Sequence, residues 1–185
     1  AAYLLDILDA TTITPVENLE DFAVTLSESR AGYASEYKLD FQLRQSTYDL
    51  LKNGGFKLAF PVGFALGSIE SMVITDNCQA FKLGVGSWVV ADQLITIYLQ
   101  PIRCDECEES LTLDATVADT TFIDISLIIN AIINHPVAGD YQIAGVAFKQ
   151  NGAVIAGPTF SQVFTITANT VSSIVVSPSE DMTVK

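Results

Sequence analysis

Tyr37-Lys38-Leu39-Asp40-Phe41-Gln42-Leu43 decides the fold: apolar and polar residues alternate strictly, and Glu36 continues the polar set on the N-terminal side. Side chains along a strand point to opposite faces in turn, so this stretch has one dry face and one wet face. The same alternation returns in Phe56, Leu58 and Phe60 before Pro61, and in Ile95, Ile97 and Leu99 before Pro101. It recurs in Leu111, Leu113 and Ala115, and in Phe164 and Ile166. Turn-forming residues separate the runs: Asn53-Gly54-Gly55, Gly84-Val85-Gly86, Ala138-Gly139-Asp140, Asn151-Gly152 and Gly157-Pro158. Short strands at spacings of about ten residues, without long helical patterns, specify an all-β antiparallel sandwich or barrel.

Asn151-Gly152 lies between the Tyr141–Lys149 run and the Ala153–Ile155 run, and this predicts a two-residue type I′ hairpin. Phe122–Ile133 carries apolar residues at both helical and strand periods. The alternation of Ile123, Ile125, Leu127 and Ile129, with its β-branched residues, predicts a strand through Ile129, ended by Asn134-His135-Pro136. Tyr3–Leu8 reads equally as a short helix or a leading strand. Tyr37 and Trp88 are expected in the core.

The chain has 185 residues, 49% apolar and 17% charged, with a net charge of −13. Charged residues make up about 25% of ordinary soluble domains. Ser and Thr must therefore cover much of the outside, or part of the surface packs on a neighbour. The negative charge repels nucleic-acid phosphates and anionic lipid, and no Lys/Arg cluster offsets it. No apolar run reaches the roughly 18–20 residues that cross a bilayer.

Residues that could do chemistry are sparse. Of three cysteines, Cys104 and Cys107 flank Asp105-Glu106 in a C-x-x-C spacing, and Cys78 stands apart. Acidic neighbours raise a thiol pKa, and His135 is the only histidine available as a further zinc ligand. A loop disulfide is the plainer reading, with Cys78 as a competing partner, and it implies an oxidising compartment. Asp105, Glu106, Glu108 and Glu109 offer oxygens of the kind Ca²⁺ takes, but they lack a D-x-D-x-D-G loop and read more simply as a solvated tip. Asp119, Asp124 and Asp140 are further acidic residues without a selecting spacing. His135, beside Pro136, reads as a turn or packing residue rather than a base. Tyr33, Tyr37, Tyr48, Tyr98 and Tyr141 are scattered, which argues against a flat aromatic platform for sugars.

Two stretches carry a family likeness. Leu51-Lys-Asn-Gly-Gly-Phe-Lys-Leu-Ala-Phe-Pro-Val-Gly-Phe64 and Ile133-Asn-His-Pro-Val-Ala-Gly-Asp-Tyr-Gln-Ile143 resemble the strand and turn motifs of Ig-like sandwich modules in large bacterial and archaeal surface and adhesin-type proteins. His135 departs from that pattern, which has Asn and Pro adjacent. Ser173–Ser179 is similar to the opening strand of a bacterial Ig-like repeat. The resemblance implies an immunoglobulin-like antiparallel β-sandwich with a binding or scaffolding role and no catalytic residues.

The expected organisation is an apolar extension or leading strand over 1–20, a sandwich over 21–170, and a linker or first strand of a following domain over 171–185. Ala1-Ala2 reads as the start of a mature or excised chain, and a secreted or cell-surface location is expected. The expected function is a non-catalytic structural module, a scaffold or filament subunit that associates with itself or with neighbouring domains. The alternative is an adhesin-type module for carbohydrate or protein. Tyr3, Leu4, Leu5, Ile7 and Leu8 at one end, and Ile174, Val175 and Val176 at the other, are candidates for strand donation. If Cys104 and Cys107 are bridged, the unreduced native chain is lighter by one hydrogen pair and exposes fewer than three alkylatable thiols by mass spectrometry. Three labelled thiols rule the bridge out.

Overall fold

The computed structural model describes residues 17–78, 82–102 and 121–169. Strands β1 (Glu20–Leu26), β2 (Ala34–Arg44), β7 (Phe122–Ile133) and β4 (Met72–Asp76) form a four-stranded sheet in the order β1-β2-β7-β4. A five-stranded sheet runs β10 (Val154–Phe160), β9 (Ala144–Phe148), β3 (Gly55–Ala59), β6 (Leu94–Ile102), β5 (Lys82–Ala91). The short pair β8 (Gly139–Tyr141) and β11 (Phe164–Ile166) closes one end. Every paired strand is antiparallel, as the alternation implies.

The register shows how the Tyr37–Leu43 stretch builds the core. Tyr37, Leu39, Phe41 and Leu43 of β2 stand opposite Ile129, Leu127, Ile125 and Ile123 of β7, and all eight are buried. This apolar ladder faces Phe56 and Leu58 of β3 and Ile95 and Ile97 of β6, which are buried too. The Phe41 and Phe56 rings meet edge-to-face at 5.1 Å and tie the two layers together.

Strand β7 runs four residues past the expected end at Ile129. Ser35 pairs with Ile132 while Tyr37 pairs with Ile129, so β7 carries one extra residue, and Ala131 there has φ +67°. A bulge reverses the in–out parity of the residues beyond it. Ile132 and Asn134 turn inward as a result. The buried Asn134 accepts a hydrogen bond from the Tyr37 hydroxyl at 2.6 Å and donates to the carbonyls of Glu28 at 2.8 Å and Arg30 at 2.9 Å. Burial pushes the Tyr37 phenol well above its ordinary pKa, so it stays a donor. Nearby, hydrogen bonds from Arg30 hold the half-buried Glu28 carboxyl down to about 2.

Several local expectations are corrected. The hairpin at Asn151-Gly152 is a three-residue loop: the Gly152 N–H donates to Lys149 O at 2.7 Å and the Lys149 N–H to Ala153 O at 3.0 Å. Gly152 has φ +81° and Asn151 does not share it, so the turn is followed by a glycine bulge rather than being type I′. Gly84-Val85-Gly86 and Gly157-Pro158 are not turns but lie inside β5 and β10. In β5 the missing side chain makes room, since a Cβ on Gly84 would lie 2.4 Å from Ile102 Cδ1. In β10 the proline sits on an edge strand, where no ladder partner is lost. The run from Tyr141 to Lys149 splits between β8 and β9. One helical turn has no counterpart in the strand pattern: α1 (Gln45–Asp49), continued by a 3₁₀ turn over Leu50–Asn53, buries Tyr48 and Leu51 at a spacing of three. Tyr3–Leu8 and Leu111–Ala115 lie outside the described residues, as do most of the expected 1–20 and 171–185 segments.

Asn134→Ala strands the Tyr37 hydroxyl and two carbonyls, and should cost about 2–3 kcal/mol. Tyr37→Phe strands only the Asn134 oxygen and should cost about 1–2 kcal/mol. Urea unfolding followed by circular dichroism measures both. Equal, near-zero effects would remove the buried amide from its role.

Candidate functional site

The five-stranded sheet has one strand more than the four-stranded sheet, and β5 is one of its two edge strands. Trp88 stands opposite the buried Ile97 on the core-facing side of β5, yet it is 36% exposed. This corrects the expectation of a core tryptophan: its strand lies at the sheet margin, where burial is incomplete. Val89, opposite Thr96 on the outer face, is 55% exposed, and Tyr98 of β6 is 44% exposed. Tyr98 meets Phe148 edge-to-face at 6.0 Å. Together these residues make an apolar margin around the β5–β6 hairpin.

The start of β5 is closed by a buried carboxylate. Asp76 accepts the Leu83 N–H at 3.0 Å and the Cys78 N–H at 3.0 Å, and lies 3.4 Å from the Lys82 ammonium, which donates to the Asp76 carbonyl at 2.7 Å. Burial raises the Tyr48 phenol far above its usual pKa, and its hydrogen bond to Asp76 adds to the shift. Cys78 is a buried free thiol with the Gln45 amide nitrogen 3.8 Å from its sulfur. It is the packed neighbour of this carboxylate. Cys104 and Cys107 lie outside the described residues, as do Asp105, Glu106, Glu108, Glu109 and every candidate for strand donation.

On the other sheet, Asp21, Asp40 and Asp124 line a shallow depression of about 410 Å³ with Gln42, Thr75 and Ser126. Asp40 and Asp124 are already engaged. Asp124 accepts the amides of Gln42 at 2.7 Å and Asn77 at 2.6 Å, and Asp40 pairs with Lys38 at 2.9 Å. Asp140 is held elsewhere by Thr165 at 2.6 Å. Among the described residues no three His, Cys, Asp or Glu side chains converge as a metal site would require.

His135 takes the packing role expected of it. Its Nδ1 accepts the Val137 N–H at 3.0 Å, so the neutral ring carries its proton on Nε2. The Tyr141 hydroxyl, 2.8 Å from the same nitrogen, donates to the Val137 carbonyl. The ring lies against Gly63, whose φ is +112°, and a Cβ there would sit 2.3 Å from Nε2. The aromatics do not form a platform: Tyr37 and Tyr48 are buried, while Trp88 and Tyr98 project from opposite faces of their sheet. No helix among the described residues is long and apolar enough to cross a membrane.

No family model and no curated protein matches the chain. Among solved structures it is similar to the bacterial hydrophobin BslA, at 14% identity, 85% coverage of this chain, 100% of that one and TM-score 0.43. It is similar to BcpA, the major pilin subunit of Bacillus cereus, at 8% identity, 78% and 39% coverage and TM-score 0.40. A type II cohesin domain from the cellulosome of Acetivibrio cellulolyticus gives 9% identity, 82% and 95% coverage and TM-score 0.36. At such distances no role passes from these proteins to this chain, and the functional argument rests on its own surface.

Asp76→Asn leaves one of the two backbone amides, of Cys78 and Leu83, without its acceptor. It should cost about 1–3 kcal/mol and speed hydrogen exchange at the Leu83 amide relative to the β2 amides. Unchanged exchange at Leu83 would mean that the carboxylate does not close this edge.

Proposed function

We propose that this chain is a non-catalytic structural module of an extracellular or cell-surface assembly, which associates with copies of itself or with neighbouring domains. The observation that carries this reading is the apolar margin at β5 and β6, set on a molecule of net charge −13. An acidic surface keeps copies apart everywhere that charges meet. A long, uncharged, exposed strand edge does the opposite, because its backbone groups and apolar side chains gain from a partner. The polar groups that sequence reading singles out as chemical candidates support the same reading where they are described. Asp124, Asp140 and His135 each spend hydrogen-bonding capacity inside the fold.

The adhesin-type alternative requires aromatics or carboxylates gathered for a ligand. Trp88 and Tyr98 diverge, and the acidic depression is largely paired internally.

Sedimentation velocity over a concentration series, with and without Ca²⁺, tests the proposal. The expected result is reversible association that salt strengthens, because screening relieves repulsion between acidic copies. A clean monomer at high concentration under every condition would overturn the self-association reading.

A further inference from the structure

The sequence contains two Asn-Gly pairs, Asn53-Gly54 and Asn151-Gly152. A glycine nitrogen has no side chain beside it, so it can reach the Cγ of the preceding asparagine and close a cyclic imide. The two pairs share this local chemistry. The fold decides which of them reacts.

Asn151 and Gly152 are both exposed. Asn151 Oδ1 accepts the Ala153 N–H at 3.1 Å, an Asx turn that folds the side-chain carbonyl back beside the Gly152 nitrogen. The same N–H meets the negative charge that gathers on Oδ1 during attack. A Cβ on Gly152 would find nothing within 4 Å, so this peptide can turn without displacing a neighbour. One bond opposes the reaction, from the Gly152 N–H to Lys149 O at 2.7 Å, and it lies in an exposed loop where opening costs little.

Asn53 is exposed too, but Gly54 is buried. Its N–H donates to Leu51 O and its carbonyl accepts the Leu99 N–H, both at 2.9 Å. A Cβ there would lie 2.0 Å from Phe148 O. Turning this peptide toward the asparagine side chain would break both bonds and drive the backbone into β9.

We propose that Asn151 is a site of spontaneous deamidation, and that the fold protects Asn53 from the same reaction. The Gly152 nitrogen bonds to Asn151 Cγ, and the side-chain nitrogen leaves as ammonia with the proton that the Gly152 amide gives up. Water then opens the imide at either carbonyl. One opening gives aspartate, which keeps an oxygen for the Ala153 N–H. The other gives isoaspartate, whose main chain runs through Cγ and is longer by one atom. That lengthens the loop closed by the Lys149–Ala153 bond, and the edge strand β10 loosens there first. Either product adds a negative charge in the shallow depression that Asn151 lines with Asp49, Lys52 and Lys149, where the two lysines offset it.

The experiment incubates the folded chain in heavy-oxygen water at mildly alkaline pH and follows oxygen incorporation by peptide mass spectrometry. Trypsin separates the two sites, into peptides 53–57 and 150–185, and fragmentation distinguishes Asn151 from Asn169. Conversion at Asn53 should be about tenfold or more slower than at Asn151 in the folded chain. In urea the two should convert at comparable rates, because nothing then holds Gly54. Asn151→Gln should abolish the acidic species that ion exchange resolves from aged wild type. Asn53 converting as fast as Asn151 in the folded chain would overturn the proposal. So would an Asn151 that keeps its amide while the unfolded chain loses it.

Discussion

The side-chain amide of Asn134 is the point on which the rest of the molecule hangs. It sits 1% exposed at the end of β7 with its oxygen on Tyr37 and its nitrogen shared between two carbonyls of the segment after β1. A primary amide buried with its hydrogen bonds made is neutral or better for stability, whereas one left half-met is costly. Its placement depends on the single extra residue near Ala131, which trades a strained backbone conformation for the change of parity that brings the amide inside. Tyr37 then serves twice: its hydroxyl meets Asn134, and its ring packs edge-to-face on Phe60, Phe64 and Phe164.

That cluster also brings together two separated stretches of sequence. Phe60–Phe64 and Asn134–Tyr141 meet at one end of the sandwich, where Phe64 lies 5.2 Å from Tyr141 and 5.7 Å from His135. The histidine that departs from the motif is the residue that fills the space over Gly63. The two stretches thus form one packing arrangement at a sheet end, and His135 is part of it.

Much of the architecture is legible in period-two patterning, because burial on one face writes itself directly into residues such as Tyr37–Leu43 and Ile123–Ile129. The features that escape it depend on neighbours distant in sequence. A bulge at Ala131 leaves no local mark, since alanine is not the usual residue at positive φ. β5 is hidden by glycines, one of which makes room for Ile102, and they break the alternation. Trp88 is misplaced in a sequence reading because a strand's own residues do not say whether it will lie at the centre or the margin of a sheet. The candidate margin is therefore invisible until strand order is known. His135 is assigned correctly, since Pro136 and the lack of partner residues already argue for packing.

The segment held by Asn134 also has a mechanical meaning. Thr167, near the end of the described chain, runs parallel to Arg30 there, donating to Ser29 O at 2.8 Å and accepting from the Ala31 N–H at 2.9 Å, while the Asn169 amide donates to Ala31 O. Tension drawn along the backbone from that side loads these bonds together, in shear, rather than one after another as in an opening zipper. The load passes from Ser29–Ala31 through the carbonyls of Glu28 and Arg30 to the buried amide, and so into the central strands of the sandwich.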